Sequence, residues 1–225
     1  MTHLRIIAID GPAASGKSTL GFHLAEALGY LYFDTGLMYR AITWLALDHG
    51  LDLTNESTIT RLAQDVPIEV TEPSFEDGRP CDVVVDGHDI TWDIRQPEVD
   101  ANVSIVSAYP GVREALTRQQ RRIGLRGRVV MVGRDIGTVV LPDADVKIYL
   151  DASAEVRARR RCDEMLQRGE TADFVQILAQ VIERDRIDST RAVAPLKPAD
   201  DAILIDSDKL DADAVFQRAL SLCKK

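Results

Sequence analysis

The sequence predicts an α/β domain built on a parallel sheet with helices on both faces. Three observations carry this expectation. Short apolar runs alternate with segments of helical periodicity along the 225 residues, the pattern of strand–helix–strand units. The first run ends in a glycine-rich turn of fixed spacing, residues 11–18. A stretch at 66–92 switches to two-residue periodicity with Asp-Gly turn signals, which marks a small antiparallel insert.

Taken in order, residues 4–10 (LRIIAID) are an apolar run suited to a buried parallel strand. In 18–28, Leu20, Leu24, Ala27 and Leu28 recur at helical spacing. Residues 31–34 read as a second strand, and 38–49 as a helix closed by Gly50. Ile68 and Val70 alternate with polar residues, as do Val83 and Val85, and Asp77-Gly78 and Asp86-Gly87 are hairpin signals, so three antiparallel strands are expected. Helical texture returns over 97–122. Residues 128–132 and 146–150 are further buried strands, followed by helices at 154–168 and 173–189, a strand at 202–206 and a helix at 211–222. With no repeat or low-complexity linker, the reading is a single domain over 1–225, with an insert at 66–95 and a short lid at 155–172.

Composition narrows the function classes. A net charge of −9 excludes a generally basic nucleic-acid binder. Cys81, Cys162 and Cys223 form no C-x-x-C pair, and their odd number argues against a disulfide framework. His3, His23, His49 and His88 lack metal-ligand spacing. The N-terminus lacks the long apolar stretch of a signal peptide, and no run reaches the length of a membrane span. The expectation is a reduced, cytoplasmic monomer that binds no nucleic-acid polymer and no membrane.

Gly11-Pro12-Ala13-Ala14-Ser15-Gly16-Lys17-Ser18 fits G-x-x-x-x-G-K-[ST] at every fixed position, with a strand before it and a helix after it. Small residues let backbone N–H groups wrap phosphate oxygens, and the positive end of the next helix points at the same anion. Lys17 adds a mobile charge, the Ser18 hydroxyl suits a Mg²⁺ shell, and Thr19 continues the loop. GTPases, ATPases and small-molecule kinases all carry such a P-loop. The chain has no N-K-x-D segment to read guanine, and its apolar run 129–132 ends in Gly133 rather than an acidic residue.

Charge gathers at other predicted strand ends. Asp34-Thr35-Gly36-Leu37-Met38-Tyr39-Arg40 follows the second strand, and Gly133-Arg134-Asp135 follows the third apolar run. Arg40 suits forked contact with a phosphate, and Arg134 beside Asp135 suits holding a phosphate while accepting a hydrogen bond. Arg184, Asp188 and Arg191 share a helix face if that helix extends to Arg191. Arg157, Arg160 and Arg161 cluster on the preceding helix. Two arginine-bearing segments in an acidic chain suggest a lid closing over transferring phosphates.

The segments IDGPAASGKST, DTGLMYR, VREAL, GRDIGTVVLPDADVKIYLDAS and RAVAPL together resemble the bacterial cytidylate kinases, within the nucleoside monophosphate kinases. The resemblance spans essentially the whole chain. It implies a P-loop fold with a five-stranded parallel core, a three-stranded antiparallel insert that binds the monophosphate, and a short mobile lid. It implies transfer of the γ-phosphoryl of ATP to CMP or dCMP, with Mg²⁺. By motif, Ser104, Arg113 and Asp135 look like the cytosine-reading set, and Arg184 and Asp188 like sugar contacts. Arg40, Arg134 and Arg191 look like ligands of the acceptor phosphate or transferring group, with Thr35 and Tyr39 beside them. Lys17 and Arg160 join Arg40, Arg134 and Arg191 as the expected catalytic set, Arg157, Arg160 and Arg161 correspond to the lid, and Ser18 is the expected metal ligand. The chain departs from the family at Val132, where a carboxylate usually precedes Gly-Arg-Asp. If that carboxylate supports the metal's hydration shell, metal affinity is lower here. Kinases for UMP, shikimate or dephospho-coenzyme A, and a non-catalytic nucleotide-binding module, are the alternatives.

Overall fold

The computed structural model describes residues 5–224. The expected beginning of the first strand at Leu4 lies outside them. Five strands form one parallel sheet: β1 (Ile6–Asp10), β2 (Leu31–Asp34), β6 (Val129–Gly133), β7 (Val146–Asp151) and β8 (Ile203–Asp206), in the order β2-β6-β1-β7-β8. A second sheet of β3 (Ile68–Thr71), β4 (Asp82–Val85) and β5 (His88–Asp89) is antiparallel. The helices are α1 (Lys17–Leu28), α2 (Gly36–Asp48), α3 (Glu56–Asp65), α4 (Pro97–Ala108), α5 (Pro110–Gly124), α6 (Ala154–Gln167), α7 (Phe174–Thr190) and α8 (Ala212–Cys223).

The sheet divides two apolar clusters. One joins α2, α4 and α5 to the apolar side of the small sheet, through Phe33, Ile42, Ile68, Val83, Leu116 and Met131. The other packs α1 and α8 on the opposite face, through Ile7, Ile9, Leu24, Val130 and Ile205. Parallel strands buried on both faces read as continuous apolar runs, and β6 is buried at every position.

Four differences from the sequence reading have local causes. Helix α3 was not expected; Asn55 caps it by accepting from the Thr58 N–H, and Ile59 and Ala63 are its only buried residues. The helical stretch 97–122 is two helices, because Pro110 starts α5 and Tyr109 before it is extended. Of the two Asp-Gly signals, Asp86-Gly87 is a two-residue hairpin with φ of 48° and 78°, the geometry that favours this pair. Asp77-Gly78 instead lies in the longer loop 72–81, where Asp77 accepts from Arg79 and from the Trp92 indole. Finally, α7 ends at Thr190, and Arg191 is extended at its C-cap, so it leaves the helix face it was expected to share.

Candidate active site

The carboxyl ends of β1, β2 and β6 meet at one place, and the polar residues follow each strand. The P-loop runs from Gly11 to Lys17, where α1 begins. A Cβ on Gly11 would sit 2.1 Å from the Leu150 carbonyl oxygen, so only glycine fits against β7. Gly16 has φ of 91° and opens α1 from the left-handed region, where glycine carries no Cβ penalty. Lys17 folds back to donate to the Pro12 carbonyl at 2.8 Å. Its amine is pulled down to about 7, first by burial and then by Arg134. The Ser15 hydroxyl is buried without a partner, aimed within the loop. Ser18 and Thr19 are exposed, and Ser18 donates to the Asp34 carboxylate at 2.9 Å.

Asp10, the last residue of β1, locks the P-loop to the next motif. Its two oxygens accept from the N–H groups of Ile136 and Gly137, each at 2.7 Å. Burial raises its carboxyl to about 6 in spite of those bonds and of Lys17. The backbone at 136–140 is a single π turn, with the N–H groups of Val140 and Leu141 bonded five residues back. This turn holds Asp135 at the end of β6. Sequence reasoning gave Asp10 no role, although an acidic residue closing an apolar strand just before a P-loop was the available signal.

Around Asp135 the structure gathers residues from four segments. Arg113 of α5 donates to Asp135 at 2.7 Å, and its guanidinium lies over the Tyr39 ring, 5.4 Å from the centroid. Arg191 approaches the other Asp135 oxygen at 3.6 Å and reaches Asp188 at 3.4 Å. Asp188 also pairs with Arg134. Thr35 is buried, and its N–H and hydroxyl both donate to the Val132 carbonyl. Tyr39 Oη, Arg113 Nε and one terminal nitrogen of Arg191 are buried without partners. The Arg191 nitrogen lies 3.6 Å from Asp135, and Gln120 stands beside the Tyr39 hydroxyl, so the cluster around Asp135 is packed largely against itself.

Arg40 extends toward the same region and bonds the Ile94 carbonyl and Asp100. Arg184 is lowered from the usual guanidinium value to about 10, by burial and then by Arg134, with Arg161 and Arg40 adding to the effect. Arg134, Arg161 and Arg40 thus lie close enough to repel Arg184, and Arg134 and Arg184 close enough to repel Lys17. A cleft of about 610 Å³ is lined by Ser104, Arg161, Arg184 and Asp188, and one of about 670 Å³ runs from the P-loop past Arg161 to Phe216.

The three arginines of α6 do not act as a set. Arg157 is buried and bonds Asp185, the Ala152 carbonyl and the Ala13 carbonyl in the P-loop. Arg160 donates to Ser207 and to the Ser15 carbonyl. Arg161 makes no hydrogen bond among the described residues and lines both clefts. The first two fasten α6 to the P-loop, and the third faces the space between the clefts.

Val132 is fully buried, in register with Ile9 on β1 and with Asp34 on β2. It packs on α1 where Gly21 leaves room: a Cβ on Gly21 would meet a Val132 methyl at 2.4 Å. Among the described residues, no group of three or more His, Cys, Asp or Glu side chains forms a metal site.

The profile of the family described as cytidylate kinase matches residues 7–225. A cytidylate kinase of Chloroflexus aggregans is 53% identical over 204 residues, covering 91% of this chain and 87% of that protein. One from Herpetosiphon aurantiacus is 49% identical over 222 residues, covering 99% and 95%. A bifunctional pantoate ligase/cytidylate kinase of a Synechococcus species is 48% identical over 217 residues, covering 96% of this chain and 44% of that longer protein. The P-loop, the Gly-Arg-Asp turn and the arginines between them therefore stand in a chain that belongs to the cytidylate kinase family.

Proposed function

We propose that the chain transfers the γ-phosphoryl group of ATP to CMP or dCMP, with Mg²⁺ on the donor phosphates. The observation that carries this reading is the group of Arg40, Arg134 and Arg161 around Arg184, with Lys17 of the P-loop beside Arg134 and Arg184. Such an arrangement is costly without an anionic, hydrogen-bonding ligand.

In this reading Gly11 to Thr19 cradle the donor phosphates. The acceptor is itself a phosphate, so no strong general base is needed, and catalysis is positioning plus charge neutralisation. Lys17, Arg40, Arg134 and Arg191 spread the charge of the transferring group. Arg161 joins them from between the clefts, and Arg160 holds the P-loop and α6 in register. Arg113 and Asp135, backed by Tyr39 and with Ser104 opposite, offer both donors and acceptors to the cytosine edge. Arg184 and Asp188 flank the sugar, and Thr35 fixes the start of the helix that carries Tyr39 and Arg40. The Ser18 hydroxyl and the Asp34 carboxylate are hard oxygen donors of the kind Mg²⁺ prefers. When bound, the ion supplies neutralisation of phosphate charge. The three cysteines are free and buried, and no helix among the described residues is long and apolar enough to cross a membrane.

The test is ADP release by purified protein with ATP, Mg²⁺ and, in turn, CMP, dCMP, shikimate, dephospho-coenzyme A or no acceptor. Release that depends on CMP or dCMP is expected. Release with another acceptor alone, or none with any, overturns the reading.

A further inference from the structure

We infer that Asp34, acting with Ser18, is the carboxylate that holds the metal ion of the donor nucleotide, in a chain whose β6 strand end carries no acidic side chain. The inference rests on the kinase reading above and deepens it, making Asp34, there only a suitable oxygen donor, the one carboxylate on which metal affinity depends.

The argument begins with sheet register. Asp34 closes β2 and pairs with Val132 across the β2–β6 ladder, so the two side chains stand at the same level of the sheet. Val132 is enclosed by the apolar cluster against α1, and an alkyl side chain cannot ligate or order water around a cation. Asp34 is half-buried beside the start of α1, where one of its oxygens takes the Ser18 hydroxyl hydrogen at 2.9 Å. Its other oxygen accepts from the Gly36 N–H at 2.9 Å, which fixes the carboxylate plane. A P-loop hydroxyl and a carboxylate in contact at the start of α1 form a hard-oxygen pair suited to Mg²⁺ and its water.

Nearby charges leave that oxygen free for the role. The Lys17 amine acts on Asp34 only through space and donates to the Pro12 carbonyl instead. Apart from Ser18, no side chain among the described residues hydrogen-bonds the oxygen facing the P-loop. An acidic residue at position 132 would sit in register with Asp34, placing two carboxylates side by side across neighbouring strands. In this chain the carboxylate at that level of the sheet is on β2.

Asp34→Asn is nearly isosteric and keeps the oxygen that accepts from Gly36, so the local turn has what it needs. The probe is Mn²⁺, followed by electron paramagnetic resonance with the full chain and ADP, alongside calorimetric ADP binding in chelator. In Asp34→Asn the affinity of the protein–ADP complex for Mn²⁺ is expected to fall by about tenfold or more, while metal-free ADP affinity holds within about threefold. Val132→Ala, which removes no polar atom, is expected to leave Mn²⁺ affinity unchanged, and Ser18→Ala to lower it with Asp34 intact. Melting curves accompany each variant; if Asp34→Asn does not fold, Asp34→Ser with the same expected loss takes its place. Mn²⁺ affinity unmoved by loss of the Asp34 carboxylate, with ADP still bound, overturns this inference and leaves the kinase reading standing. A wild-type chain that binds no ADP removes both.

Discussion

In the proposed function Lys17 is the residue on which donor binding turns, and its environment gives it a pH signature. Burial and Arg134 lower its amine from 10.5 to about 7 in the free protein. An anionic phosphate favours the charged amine and returns the value upward. Above pH 7, binding then requires a proton to be taken up. ADP affinity should fall by up to about tenfold per pH unit between pH 7 and 9, with proton uptake visible as a buffer-dependent heat. A flat profile, or one that persists in Lys17→Met, would locate the titrating group elsewhere. By the same physics Lys17→Ala should keep its fold and lose about 3–4 kcal/mol of transition-state stabilisation, read as kcat. Asp188 is a second such residue. The sequence suggested a sugar contact alone, but the carboxylate also pairs with Arg134 and Arg191. Asp188→Ala frees both arginines, so KM for CMP should rise by about tenfold or more and kcat should fall with it, while KM for ATP changes little. A rise in KM for CMP with kcat intact would return Asp188 to the sugar contact alone.

Elements were legible where local pattern and tertiary role agree. The five parallel strands were readable from apolar runs, the inner ones because helices seal both faces and the edge strand β8 although only Ile205 of it is buried. Helix α3 was missed because only Ile59 and Ala63 are buried, leaving a thin apolar stripe, although Asn55 three residues before Thr58 was a cap signal. The P-loop announced itself through spacing alone. The ties behind it did not: Asp10 reaches Ile136 and Gly137 across 126 and 127 residues, and no local motif encodes such a bond. The α6 arginines looked alike in sequence, and only packing separates buried Arg157 from Arg161. The α1–β6 contact is a direct test of how closely the elements are fitted. Gly21→Ala places a methyl 2.4 Å from Val132 and should cost about 1–3 kcal/mol. Val132→Ala in the same chain opens the space, so the double variant should be more stable than the sum of the two losses predicts. Simple additivity in chemical denaturation would mean that the helix and strand do not press on each other there.

The molecule as a whole is acidic, with net charge −9, yet it turns a group of cations toward one end of its sheet. The parallel topology makes this possible, because the ends of β1, β2 and β6 face the same way and each loop delivers its polar residues to one region. The small antiparallel sheet shares its apolar cluster with α2, α4 and α5, the helices that carry Tyr39, Arg40, Ser104 and Arg113. In the proposed function the acceptor base meets Arg113 and Asp135, a donor and an acceptor held together in the core. Cytosine offers O2, N3 and an exocyclic amine to such a pair; uracil reverses the donor pattern at its N3–C4 edge and leaves buried groups unsatisfied. The decisive measurement is kcat/KM for CMP and for UMP with the same protein at saturating ATP and Mg²⁺. CMP is expected to exceed UMP by at least about tenfold; equal values for the two would contradict a site built to read cytosine.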